Sequence, residues 1–463
     1  MNKKTLTLSL AFGICYLWSG GIFMTVFFRL YEHYDQIQVT YISDVLYYIM
    51  QATGIFFFSL FVKSKTLEYR KHILNISLIA ITILFGIMAI LSNDPTRILV
   101  SGAIMNISIG ALLCSYLLRM SKNLESKERG KCFAFAYALG SIGTYLLSLP
   151  FDGKALISNH IIWVYIILAI IASFFLYLFD KLSKEDIKTE NENTPNTIIS
   201  TNVKKNSILL MVLLPFLFMV INSLGYHFEQ AIADNINILF TRAFYSIGLI
   251  AAGIIIDKKR NLGAICAFLS LSFPLICLSF RGNDITIVSS ILSYIFLGFI
   301  NVYSVILFID IGDHYPDKAH MSTYGFGISR IGTALGTSVG LLLEKNQTIL
   351  ICITLTLYAI CGLIFFAYQS FYYNKTESIV TETAGERKER IFKEYSSRYG
   401  LNGKQTEVLR LLLDGYPNGE IADKLYLAES TVKYHVKNIL KITGYKNRNE
   451  LISNYMSQSN NSK

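Results

Sequence analysis

LNGKQTEVLRLLLDGYPNGEIADKLYLAESTVKYHVKNILKITGYKNRNELISNYM, residues 401–456, is the stretch on which the reading of this chain turns. Its apolar residues recur at helical spacing. Val408, Leu409, Leu411 and Leu412 define a first helix that stops at Gly415. A second is expected to start near Asn418, a residue type that caps helix N-termini, and to bury Ile421, Ala422 and Leu425. A tight turn around Leu427–Ala428 leads into a third helix, and a fourth runs from about Asn447. On the third, Val432, Val436, Ile439 and Leu440 form a buried stripe, and Lys433, Tyr434, Lys437 and Lys441 fall on the opposite face. That division suits a helix laid in the major groove of double-stranded DNA. One face holds it on its domain; the other offers lysines to guanine edges and phosphates and an aromatic ring to thymine methyls or sugars. Residues 430–449 hold five basic residues and no acid, so the positive charge is local.

Moving towards the N-terminus, residues 374–385 read as a polar linker, and 386–399 as an amphipathic helix with Ile391, Phe392 and Tyr395 on one face. Before about residue 372 the character changes. Of 463 residues, 52% are hydrophobic and only 16% charged, and mean hydropathy is +0.43, which excludes an ordinary soluble domain. Twelve apolar runs of about 20 residues lie between positions 6 and 370, each the length of a bilayer-crossing helix. The first, near 6–28, has no small-residue cleavage pattern after it and eleven further runs, so it reads as span 1 rather than a signal peptide. With the N-terminus inside, the inner segments carry 20 Lys and Arg and the outer loops 5. An even number of spans then returns the C-terminus to the cytoplasm, where DNA is. Much of the net charge of +10 is this topological bias. The seven cysteines show no metal or redox spacing, and no nucleophile–base cluster or phosphate-binding loop is present. No catalytic residue, metal site or cofactor is expected, and an enzyme is disfavoured.

The longest internal loop divides the membrane region into six spans plus six. A shift of about 189 residues superposes Glu68-Tyr69-Arg70-Lys71 on Asp257-Lys258-Lys259-Arg260, and Ser141-Ile142-Gly143-Thr144 on Arg330-Ile331-Gly332-Thr333. It also brings Glu128-Arg129-Gly130-Lys131 onto Asp317-Lys318-Ala319-His320. These matches fit parallel halves related by an axis along the membrane normal. Over roughly residues 5–372 the chain resembles the major facilitator superfamily. The family's Gly–acid–basic loop is kept at Gly253 to Arg260, whereas Ser64 and Glu68 depart from it in the first half. The resemblance implies an all-α, twelve-helix transmembrane bundle. The expected segments are 1–180 and 207–372 for the halves, 181–206 for the loop between them, 373–400 for a connector and 401–463 for the DNA-binding domain. A cavity between the halves is expected near spans 1, 4, 7 and 10, which offer Trp18, Asn106, Asn222, Tyr226 and Asn301, each equally able to make helix–helix hydrogen bonds. Two arginines lie inside spans. Arg330 is expected to pair with Asp257 or Asp310 or to reach the surface; Arg242, with no evident partner beyond Glu229 or Asp234, is the better candidate for an anionic ligand. Gly325, Gly327, Gly332, Gly336 and Gly340 in span 11 suit close helix packing or a sliding contact.

Glu407-Val408-Leu409, Gly415, Glu420-Ile421-Ala422, Ser430-Thr431-Val432-Lys433, His435-Val436, Ile439 and Arg448 resemble the LuxR-type helix-turn-helix. The resemblance places Lys433, Tyr434 and Lys437 towards bases and Ser430 and Thr431 near phosphate. Lys441 and Arg448 complete the DNA-binding set, His435 packs, and the bound form is a homodimer. Asn402, Gln405, Gly419 and Ala428 depart from the family's usual Thr, Glu, Lys and Ser. Twelve spans fused to such a tail resemble membrane-bound one-component regulators of bacteria. The expected function is therefore a multi-pass regulator of the cytoplasmic membrane, sensing an unknown small molecule and binding DNA. The competing readings are a secondary transporter with a regulatory tail and a passive membrane anchor.

Overall fold

The computed structural model describes residues 1–61, 71–150, 155–190, 205–232, 238–279, 286–314, 316–343, 345–380 and 384–461. Among these there is no strand, and two compact units divide the chain, Met1–Phe371 and Tyr372–Lys463.

The first unit contains α1 (Lys3–Leu30), α2 (Gln36–Phe61), α3 (Lys71–Leu91), α4 (Pro95–Asn123), α5 (Ser126–Ser148) and α6 (Ile161–Glu190). A second set follows: α7 (Lys205–Ile232), α8 (Leu239–Lys258), α9 (Arg260–Ile276), α10 (Thr286–His314), α11 (Tyr324–Leu342) and α12 (Gln347–Val380). A helix therefore stands at each expected apolar run. Eight are long and apolar enough to cross a bilayer: α1 to α4, α6, α8, α10 and α12. The apolar stretches of α7 and α9 are shorter, and α5 and α11 are diluted by Gly, Ser and Thr.

The halves meet where α5 lies on α8 and α11 lies on α2; within each half α5 packs on α1 and α11 on α7. The sequence shift relates these same pairs. Close approach needs small residues. A Cβ on Gly54 would strike the Ile107 carbonyl between α2 and α4, and one on Gly248 the Ile295 carbonyl between α8 and α10. The α11 glycines serve three partners: Gly325 meets Ser304 of α10, Gly327 meets Phe56 of α2, and Gly332 and Gly336 meet the Phe216 and Val220 carbonyls of α7. Polar groups point inward. Gln51 donates to Asn106 Oδ1 at 2.7 Å, and Arg119 pairs with Asp180 at 3.1 Å between α4 and α6, both charges nearly inaccessible. Phe57, Trp163 and Leu363 point outward.

The second unit contains α13 (Ala384–Arg398), α14 (Gly403–Leu413), α15 (Asn418–Leu425), α16 (Glu429–Thr443) and α17 (Arg448–Asn461). Val408, Leu409, Leu412, Ile421, Val432, Ile439 and Leu451 form a core that excludes solvent. Ile391, Phe392 and Tyr395 of α13 join it, so the connector helix is part of this unit. Arg410 of α14 grips Glu389 of α13 through both guanidinium nitrogens at 2.6 and 2.7 Å and lies over the Phe392 ring. Asn402 and Gln405, read as departures, together make a complete capping box at α14, with bonds of 2.9 and 3.0 Å. Asn418 is not the cap of α15: the helix already begins there and Pro417 precedes it, its ring preset for a helix entry. The turn before α16 is made by Tyr426, in the left-handed region at φ 55°, one residue earlier than expected. Ala428 precedes α16 with no side-chain cap.

Candidate functional site

Two sites emerge, one in each unit. The membrane unit contains a partly open cavity of about 110 Å³ with a second lobe of about 50 Å³. Both halves line it. Phe23 and Tyr48 come from α1 and α2, Tyr137 from α5; Asn222, Arg242, Tyr245, Asn301 and Arg330 come from α7, α8, α10 and α11. Arg242 and Arg330 line both lobes. A π-helical turn over Ile42–Tyr47 in α2 brings Asp44 to the same wall as Tyr48, a local irregularity frequent at functional sites.

Arg330 makes no ion pair among the described residues, contrary to expectation. Its guanidinium sits over the rings of Tyr48 at 4.2 Å and Phe326 at 4.6 Å, and its buried Nε has no hydrogen-bond partner. The reason is that the acids on its side are engaged elsewhere. Asp257 accepts from the backbone N–H groups of Gly130 at 2.7 Å and Lys131 at 2.8 Å and pairs with Arg260 at 3.0 Å. Asp310 pairs with Arg260 at 2.7 Å and Arg129 at 3.2 Å. This network ties α5 of the first half to α8 and α10 of the second. It needs the glycines: a Cβ on Gly253 would lie 2.7 Å from the Gly130 carbonyl. The Gly253-to-Arg260 motif thus works as an inter-half clasp, at the bundle end where Thr5 near the N-terminus bonds Glu128. Ser64 and Glu68 of the first copy lie outside the described residues.

The other sequence candidates separate. Asn222 and Asn301 line the cavity; Trp18 and Asn106 do not. Trp18 is fully buried with its Nε1 unpartnered, and Asn106 is spent on Gln51 and the Gly102 carbonyl. The side chain of Tyr226 lies outside the described residues. Among the described residues Arg242 reaches Met24 Sδ, at 3.4 Å; the side chain of Glu229 and all of Asp234 lie outside them. Sequence reasoning missed Asp44, Tyr48, Tyr137, Tyr245 and Tyr294, all in this wall. The available signal was a set of tyrosines inside apolar spans.

In the second unit, α16 buries Val432 and Ile439 and exposes Lys433, Tyr434, Lys437 and Lys441. Lys433 pairs with Glu429 one turn back at 2.9 Å. Ser430 is exposed and Thr431 half-buried at the start of the helix. His435 is half-buried with its ring 5.8 Å from Tyr434. Arg448 stands apart from this face: it donates to the carbonyls of Leu412 and Tyr416, fixing the start of α17 to the end of α14. Tyr426, almost fully exposed at the turn, was not anticipated.

A bundle of apolar helices in two halves joined to a helix-turn-helix defines a multi-pass membrane protein carrying a DNA-binding module. Residues 8–341 match the Major Facilitator Superfamily, and residues 400–454 match the luxR family of bacterial regulatory proteins. The chain belongs to the major facilitator superfamily and carries a C-terminal LuxR-type helix-turn-helix. The tail is similar to transcriptional regulatory protein DegU of Brevibacillus brevis, 39% identical over 77 residues, 16% of this chain and 33% of that protein. It is also similar to spore germination protein GerE of Bacillus subtilis, 33% identical over 60 residues, 13% of this chain and 81% of the relative. A third similarity is to the uncharacterized response regulatory protein YgeK of Escherichia coli (strain K12), 43% identical over 53 residues, 11% of this chain and 36% of that protein. The chain spans about a third of the length of DegU and YgeK. The chain thus joins a major facilitator domain to a LuxR-type helix-turn-helix, and neither family found is one of enzymes.

Proposed function

We propose that this is a ligand-responsive, membrane-embedded one-component regulator. The observation that carries the reading is one chain holding both a cavity walled by two packed halves and an exposed basic helix face. A small molecule that binds one arrangement of the halves better than another shifts their populations, and α12 and α13 transmit the bias to α16. The protein sits in the bacterial cytoplasmic membrane with both termini in the cytoplasm, and its tail binds paired half-sites as a homodimer. Ser430, Thr431, Lys433, Tyr434, Lys437 and Lys441 contact DNA, with Arg448 acting through the fold of the module. The test is a promoter reporter in cells carrying the full chain, with topology fusions at 190 and 460 read in parallel. The expected result is a ligand-dependent reporter and cytoplasmic signals at both fusions; an external signal at 460 overturns the orientation and with it the DNA connection.

A specific observation supports a second reading, secondary transport with a regulatory tail. Asp44 places a carboxylate on the cavity wall, where a coupling proton could bind. Reconstituted vesicles decide between the two. Binding without accumulation supports the receptor, and concentrative uptake under an imposed proton or sodium gradient supports the transporter.

A further inference from the structure

The chemistry of the cavity says more than that a ligand binds there. Arg242 and Arg330 both line it, and neither is paired with a carboxylate among the described residues. A guanidinium deep in an apolar bundle is costly unless something compensates it. For Arg330 the rings of Tyr48 and Phe326 supply part, and its unpartnered Nε shows that the donor fork is not saturated. Arg242 meets only a thioether among the described residues. Among the described residues neither guanidinium has its full set of acceptors, which a group supplied from outside would complete.

The two halves contribute different chemistry. Both arginines belong to the second half, whereas Tyr48 and Tyr137 belong to the first. The Tyr137 ring meets Tyr16 at 4.5 Å and Tyr245 at 5.2 Å, making an aromatic wall continuous across the halves. A planar oxyanion takes two N–H donors of a guanidinium at once, which a point acceptor cannot. Resting on the sensing function proposed above, we infer that the ligand is a small organic carboxylate, its acid group held by Arg242 and Arg330 and its flat apolar body against Tyr48 and Tyr137. The cavity of about 110 Å³ and its lobe of about 50 Å³ suit a small organic body. Such a ligand bridges the halves: charge on one, aromatic surface on the other.

Full-length protein in detergent is titrated with matched acid–amide pairs: benzoate and benzamide, phenylacetate and phenylacetamide, salicylate and salicylamide. Acetate and inorganic phosphate serve as anions without an apolar body. Unfolding midpoint is the readout. At least one acid is expected to raise it where its amide, acetate and phosphate do not. Arg330→Gln and Arg242→Gln should each weaken that acid's apparent affinity about tenfold or more, with Arg330→Lys intermediate. If only amides stabilise, if none of the acids does, or if phosphate matches the best acid, the inference fails on the unmodified protein alone. A stabilising acid that leaves the promoter reporter unchanged would instead keep the ligand class and refute the sensing function, and a reporter driven by a neutral compound would do the reverse.

Discussion

The two units of this chain answer opposite solvents. In the DNA-binding unit apolar side chains fill the centre and charge lies outside: Leu409 and Ile439 are fully buried, and Lys437 and Lys441 face water. In the membrane unit the order is reversed at many positions. Phe57 and Leu363 face outward, and Asn106, Arg119 and Asp180 are inside. Water makes an exposed basic face cheap, so its evidence for function lies in its concentration on one helix. Hydrocarbon makes a buried charge expensive, so a single unpaired arginine carries weight.

The largest effect that would break this contrast is at the Arg119–Asp180 pair. Arg119→Ala removes the buried guanidinium paired with Asp180 and should cost about 3–5 kcal/mol. A full-length variant as heat-stable in detergent as the parent would show that buried charge in this unit is not what holds it. The next comparison uses one substitution in both places. Leu409→Ala in a fragment 384–463 should lose about 2–5 kcal/mol in urea unfolding, because a cavity opens in a core that excludes water. Leu363→Ala, 73% exposed on the membrane unit, should leave the detergent unfolding midpoint nearly unchanged. Equal losses would mean that the outward face of α12 packs against something.

On the exposed face, Lys437→Ala should cost ~1–3 kcal/mol against the preferred sequence and less against mismatched DNA, if it reads a base edge. Anisotropy titrations on both duplexes separate that from a phosphate contact, whose loss weakens all sequences alike and lowers the salt slope. A smaller gain is expected from Ala428→Ser. It adds the cap that α16 lacks and should stabilise the fragment by ~1 kcal/mol in urea unfolding. The smallest effect is at the surface pair joining α13 to α14. The Arg410 guanidinium holds the Glu389 carboxyl below the usual glutamate range. A lowered folded pKa contributes stability above the unfolded value and loses it as pH falls through the folded one. Arg410→Gln should therefore lower the fragment's stability slightly near neutrality and flatten the acid limb of its stability–pH curve, the variant and parent converging at low pH.

How much could be read beforehand follows the same division. In the tail, helical period and turn residues place the buried stripe, the basic face and the break at Gly415, because sidedness in water is written directly in polarity. The structural bonds of Arg448 were not legible, since its backbone acceptors, Leu412 and Tyr416, are distant in sequence. In the membrane unit, apolar runs mark where helices stand, and the 189-residue shift relates the contact of α5 with α8 to that of α11 with α2 once the structure shows them. What a run of apolar residues withholds is rotation about the helix axis. Trp18 and Asn106 therefore sit on the expected helices but off the cavity. Depth alone suggested an acid for Arg330, but the structure shows Asp257 and Asp310 already clasped by Arg260 and Arg129. Asp44 was passed over because it lies near the end of its span, where the π-helical turn redirects it inward.

The central claim is that the membrane unit informs the DNA-binding unit. It is tested most directly by comparing the full chain with residues 372–463 tethered to an unrelated single span, at matched expression. Promoter occupancy is measured by chromatin immunoprecipitation with and without the acid that stabilises the full chain. Occupancy should change with the acid only in cells carrying the full chain, while the tethered tail binds at one fixed level. An identical acid response from the tethered tail would contradict the claim and leave the membrane unit an anchor.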